Sequence, residues 1–154
     1  MAAVATKNQG IEFYIGTKAA SASGDTFVQV KRVDTIGEFG PETDIKDVTC
    51  LEDLAKVKIK GIPDFGEIEI EGNRVFSDAG QTALLAAGED TDDDAYNCRI
   101  RMPGAGATNT NLQFDFKALI GKMKTAAGQV DGVIRFSSSA AVSGAIVQST
   151  YTIP

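Results

Sequence analysis

The 154-residue chain has no histidine and no tryptophan, only two cysteines, and no apolar run near the ~20 residues that a membrane-spanning helix needs. Without histidine the commonest general base, the usual nucleophile triads and most transition-metal sites are gone. An enzyme remains possible on carboxylates alone, but the expectation is a protein that is not an enzyme and uses no cofactor and no metal. Without tryptophan there is no convincing aromatic platform for a sugar, which counts against a β-sandwich binding module. Cys50 and Cys98 have no metal-ligand spacing and read as free thiols. Basic residues are in deficit as well: 15 against 21 acidic give a net charge of -6, which opposes the phosphate neutralisation that drives nucleic-acid binding. The start "MAAVATKNQG" lacks the charged and apolar regions of a signal peptide, so the expectation is a protein made and kept in the cytosol of its host, or assembled there.

What is present is alternation. Apolar and polar residues take turns in "IEFYIG" (Ile11, Phe13, Ile15), "TFVQVKRV" (Val28, Val30), "AYNCRIRM" (Tyr96, Cys98, Ile100, Met102) and "LQFDFKA" (Leu112, Phe114, Phe116). Period two marks strands with one buried and one wet face. "GVIRFS" and "GAIVQSTYTI" are two weaker strands near the end. One helix is expected in "SDAGQTALLAAG", with Asp78 as N-cap, Gln81 three residues on and Gly88 as a stop; it is too short to stand alone, so Leu84 or Leu85 must pack on a sheet.

The stretch "KVKIKGIPDFGEIEIEG" carries the strongest pattern. Lys56, Lys58 and Lys60 alternate with Val57 and Ile59, a break follows, and Glu67, Glu69 and Glu71 alternate with Ile68 and Ile70. Read locally it is a β-hairpin with Lys60 opposite Glu67, Lys58 opposite Glu69 and Lys56 opposite Glu71. Its charged face is either plain outer surface or the wall of a water-filled channel.

Two apparent motifs fade on inspection. Asp90, Asp92 and Asp94 have the first spacings of an EF-hand loop, but Ala95 stands where glycine is needed and Arg101 where a bidentate glutamate is needed. "PGAGATNTN" is glycine-rich but lacks the lysine of a phosphate-binding loop and leads into no helix; a hairpin connection is the simpler reading.

These pieces imply residues 1–10 as a flexible arm and 11–154 as one domain with a long acidic loop at about 35–55. The fold class expected is mainly β, about eight strands in a sandwich or barrel with one short helix at its edge.

The order of the pieces resembles a known family. Ile36, Gly37, Phe39 and Gly40, then Asp47, Val48 and Thr49, then Gly61, Ile62, Asp64, Phe65 and Gly66, then Glu71, Gly72 and Asn73 before the helix are similar to the major tail tube proteins of long-tailed, non-contractile bacteriophages. The match spans roughly residues 35–88 and departs from the family at Glu38, Pro41 and Cys50. The resemblance implies a structural virion protein: a β-sandwich that closes into hexameric rings through sheet pairing between subunits, stacked into a tail tube in the host bacterial cytoplasm. Its partners would be copies of itself and tape-measure, baseplate and tail-terminator proteins. DNA would cross a negatively charged lumen without specific binding, and no membrane is involved. On this reading Gly37, Phe39, Asp44, Asp47, Val48 and Leu51 belong to a ring-stacking loop, and Lys56, Lys58, Lys60, Glu67, Glu69, Glu71 and Asp115 are candidates for the lumen face. The alternatives are a tail-terminator, a baseplate hub or a secretion-system tube ring of the same fold.

Overall fold

The computed structural model describes residues 10–103 and 111–151. The strands are β1 (Glu12–Ile15), β2 (Val28–Val30), β3 (Val33–Ile36), β4 (Glu42–Asp47), β5 (Lys58–Asp64) and β6 (Glu67–Asn73); helix α1 (Ala79–Glu89) follows, then β7 (Tyr96–Met102), β8 (Asn111–Ile120), β9 (Lys124–Ala126), β10 (Arg135–Val142) and β11 (Val147–Tyr151). Among the described residues the mainly β fold with a single short helix agrees with the alternation in the sequence.

Nine strands make one antiparallel sheet in the order β2-β1-β7-β8-β10-β6-β3, with β11 added beside β8 and β9 beside β10. Its inner face carries the alternating apolar residues: Phe13, Ile15, Ile68, Ile70, Cys98, Ile100, Phe116 and Phe136 are buried together. The two end strands β2 and β3 are consecutive in the chain, joined by Lys31 and Arg32 alone, so the sheet must curl until its ends meet at that corner. Arg32 makes the turn at a positive φ of 63°.

Helix α1 lies across this corner. Asp78 caps it by accepting from the backbone N–H of Gln81 at 3.0 Å. Leu84 and Ala87 face the core. The Gln81 side chain is fully buried and does not reach back to complete a capping box. Its Nε2 donates to the carbonyls of Lys31 and Asn73, both at 2.9 Å, and its Oε1 accepts from the Val75 N–H at 2.8 Å and from Arg74 at 3.1 Å. One side chain thus ties the β2–β3 corner to the end of β6. Gly88, expected as the stop, lies inside the helix. A Cβ there would stand 2.7 Å from the carbonyl oxygen of Gly121, so this glycine serves close packing rather than termination.

The expected hairpin is corrected. The two arms of "KVKIKGIPDFGEIEIEG" do not pair with each other. β6 lies between β3 and β10, with Glu69 opposite Ser139 and Glu71 opposite Ser137. Both of its edges are therefore occupied. β5 turns instead to β4, with Lys58 opposite Asp47 and Lys60 opposite Ile45, in a separate two-stranded sheet. Burial accounts for the choice: Ile68 and Ile70 are 0% exposed inside the main sheet, whereas Val57 and Ile59 remain 42% and 51% exposed. The long acidic segment likewise is not all loop, since its middle is β4. Of the segments read as an arm (1–10) and as a hairpin connection (103–111), residues 1–9 and 104–110 lie outside the described residues.

Candidate functional site

The β4–β5 sheet leaves the body at Gly40–Pro41 and returns at Asp64–Phe65–Gly66, where Gly66 takes a φ of 71° and the Asp64 carboxylate accepts from its N–H at 2.9 Å. Between these points every residue from 44 to 60 is exposed. The arm is nonetheless ordered locally. The Val48 N–H donates to the Val57 carbonyl at 2.9 Å, the Val57 N–H to the Thr49 hydroxyl at 2.9 Å, and the Cys50 N–H to Asp53 at 2.7 Å. Asp47 accepts from both the hydroxyl and the N–H of Thr49, and these bonds hold its carboxyl below the ordinary range. The arm is thus a folded hairpin whose surface carries Ile45, Leu51, Leu54, Ile59 and Ile62 in water. A cleft of about 660 Å³ lies at its base, lined by Glu38 to Glu42 and Asp64 to Glu67.

The expected ring-stacking residues divide between body and arm. Gly37 donates its N–H to the Glu69 carbonyl at 2.7 Å, extending the β3–β6 ladder, and Phe39 packs edge-on against Phe114 with centroids 5.1 Å apart. Both serve the subunit's own packing. Asp44, Asp47, Val48 and Leu51 are on the arm.

The expected single lumen face also divides. Glu67, Glu69 and Glu71 share the outer face of β6 and border a groove of about 250 Å³ with Ser137 to Ser139 of β10 and with Lys122 and Lys124. Lys56, Lys58 and Lys60 are on the arm instead. Asp115 lies on another sector, where its carboxylate takes the Arg99 Nε–H at 2.7 Å.

That sector holds a cluster that sequence reasoning missed. On the outer face of β1, β7, β8 and β11, the Arg99 guanidinium lies 4.0 Å from the Phe27 ring centroid, and Arg101 is placed between Tyr14 at 5.1 Å and Tyr151 at 4.7 Å. Arg101 also donates to Gln113 at 2.9 Å. The alternation of Arg99 and Arg101 against Asp115 and Gln113 was visible; the pairing depends on β7 and β8 being neighbours. Both guanidinium groups are already engaged by protein partners and are poorly placed to grip phosphate.

At the loop after α1, Lys18 bridges Asp90 at 2.6 Å and Asp92 at 3.2 Å, so two of the three aspartates tested against an EF-hand are held by a lysine. Among the described residues no cluster of histidine, cysteine, aspartate or glutamate is arranged to hold a metal ion. No helix among them is long and apolar enough to cross a membrane.

No family model and no curated protein matches this chain. Solved structures do. A chain of the anti-feeding prophage baseplate is similar with a TM-score of 0.64 at 8% identity, over 96% of this chain and 97% of that one. A chain from the sheath/tube terminator of an extracellular contractile injection system is similar with a TM-score of 0.71 at 6% identity, over 97% and 99%. A chain from the sheath–tube complex of the same kind of system gives 0.60 at 6%, over 92% and 88%. At identities this low the likeness is one of fold, and it extends across nearly the whole chain.

Proposed function

We propose that this chain is a structural, non-enzymatic subunit of a phage-tail-like particle, assembling into rings that stack as a tube. The observation that carries the reading is the β4–β5 arm, a folded hairpin that stands away from the body and exposes Ile45, Leu51, Leu54, Ile59 and Ile62. Large apolar side chains left exposed on both faces of the arm, Ile45 on the side of Lys60 and Ile59 on the side of Lys46, mark it as an interaction element. An arm on one side of a subunit meeting a different surface on the next is a heterologous contact, the kind that generates rings and stacks.

The fold shared with chains from a baseplate, a terminator and a sheath–tube complex supports the same role. The sequence motifs resemble non-contractile tails whereas two of these neighbours come from a contractile injection system; a structural place in a tail-like assembly is common ground. Six copies per ring agrees with the six-fold symmetry of the baseplate neighbour. On this reading the particle is built in the host cytoplasm with tape-measure, baseplate and terminator proteins as partners, and DNA passes through a lumen that does not hold it. The net charge of -6 fits such a conduit.

Electron microscopy of the purified protein tests the proposal. Stacked rings are the expected result. Isolated rings would favour the second reading, a terminator or baseplate ring, which the baseplate and terminator neighbours support. Featureless monomers at high concentration would overturn both.

A further inference from the structure

The two charge ladders that do not meet within the chain have equal pitch. Lys58 and Lys60 stand two residues apart along β5, Lys56 precedes that strand by two residues, and Glu67, Glu69 and Glu71 repeat at the same interval along β6. At ~3.3 Å per residue each strand places a charge every ~6.6 Å. None of the three lysines and none of the three glutamates has an ion pair or a side-chain hydrogen bond among the described residues. Glu71 lies near enough to Arg135 to favour its charge, but that guanidinium is taken by Asp34 at 2.7 Å.

The surroundings of the ladders also correspond. Beside the glutamates the groove floor is made by Ser137 and Ser139, short side chains that let another sheet approach closely. Beyond them stand Lys122 and Lys124. On the arm, Asp47 is directly opposite Lys58 and shares its face, so an acidic group stands beside the basic row as basic groups stand beside the acidic row.

We propose that Lys56, Lys58 and Lys60 on the arm of one copy dock against Glu67, Glu69 and Glu71 on the outer face of β6 in a second copy. This rests on the self-assembling reading above and deepens it by naming the surface that receives the arm. Ile45, which shares the face of Lys58 and Lys60, supplies adhesion, while the ladders set register, because a shift by one residue would oppose lysines to gaps between glutamates. It also withdraws Glu67, Glu69 and Glu71 from the lumen. A contact held by exposed charge weakens with salt, since screening acts over ~8 Å at physiological ionic strength.

The test uses Lys58→Glu/Lys60→Glu in one full-length protein and Glu67→Lys/Glu69→Lys in another, all four being exposed positions. Each should keep the wild-type circular dichroism and melting temperature yet assemble about tenfold less readily by sedimentation. A 1:1 mixture of the two should assemble again, because each supplies the arm that the other's face accepts. The variant carrying all four changes should assemble as wild type does, which guards against a folding defect in either parent. If wild type forms rings or tubes and every variant assembles alike, or the mixture does no better than its components, the docking is refuted while the tube reading stands. If wild type itself stays monomeric, both fail.

Discussion

Gly80, in the first turn of α1, lies against the backbone of Gln29 so closely that no Cβ can be placed there without colliding with the Gln29 carbonyl and the Val30 Cα. Both neighbours are main-chain atoms of β2 and cannot rotate away. Gly80→Ala is expected to destabilise the subunit by about 3 kcal/mol, the upper part of the overpacking range, with α1 lifted from the corner. Urea unfolding of the purified protein checks it; a loss under ~0.5 kcal/mol would mean that the helix packs less tightly.

Gln81 should be nearly as sensitive for a different reason. Gln81→Leu keeps the volume but leaves the Lys31 and Asn73 carbonyls and the Val75 N–H without their partner in a dry site. Each buried group left unsatisfied costs ~1–3 kcal/mol, less where the chain relaxes, so a combined loss of about 2–4 kcal/mol is expected. Because the same side chain joins β2–β3 to β6, hydrogen exchange in the variant should accelerate at Lys31 to Val33 and at Asn73 together. Acceleration at only one of the two would contradict the bridge.

The two thiols should be distinguishable chemically. Cys98 is fully buried between β1 and β8, and burial pushes its thiol up to about 12, while Cys50 stands exposed on the arm. A disulfide reagent at about pH 8 is expected to modify one thiol per folded chain and two after denaturation. Rapid labelling of both in the native protein would place Cys98 outside the core.

Acid should unfold the subunit by a definite route. Burial opposes the charge on Asp25, yet hydrogen bonds from the Thr17 hydroxyl, Asn97 and the Thr17 and Thr26 N–H groups bring its carboxyl from 3.8 to about 2. A carboxyl lower in the folded state gives stability that is present above its unfolded value and is lost as pH falls through its folded value. Asp34, held down by Arg135, and Asp90, held down by Lys18, act in the same direction. Stability should therefore decline from about pH 4 towards pH 2, and the decline should be shallower in Asp25→Ala. Parallel urea midpoints for the two proteins across that range would count against it.

Binding to double-stranded DNA should be undetectable at physiological salt. The net charge is -6, and Arg99 and Arg101 are engaged by Asp115, Gln113 and three aromatic rings. Salt-sensitive retardation in a gel-shift assay would mean that exposed lysines such as those of the arm overcome the net repulsion, and would overturn the expectation.

The parts of the fold that were legible are those where burial writes itself into neighbouring residues. Phe13 with Ile15, Ile68 with Ile70 and Cys98 with Ile100 alternate because each strand has one dry face, and Asp78 announces a helix start because its carboxylate meets an N–H three residues on. Pairing across the sheet is not written locally. The lysine and glutamate ladders make a self-consistent hairpin on paper, and only the claims of β3 and β10 on the edges of β6 exclude it. β4 was hidden because a strand exposed on both faces has no alternation to show. Gly88 could be seen as punctuation, but its neighbour Gly121 is brought there by the fold. For the candidate site the charged residues were visible and their partners were not: Arg99 with Asp115, and the division of the lysines from the glutamates, depend on which strands lie side by side.

The passage of the chain through Lys31 and Arg32 has a mechanical meaning. Those two residues carry the backbone from one end strand of the sheet to the other, so a pull that peels β2 from β1 is transmitted within one turn to β3 on β6. A subunit tugged by its neighbours would then yield at both ends of the sheet together or at neither. Such a body bears load as a closed hoop does.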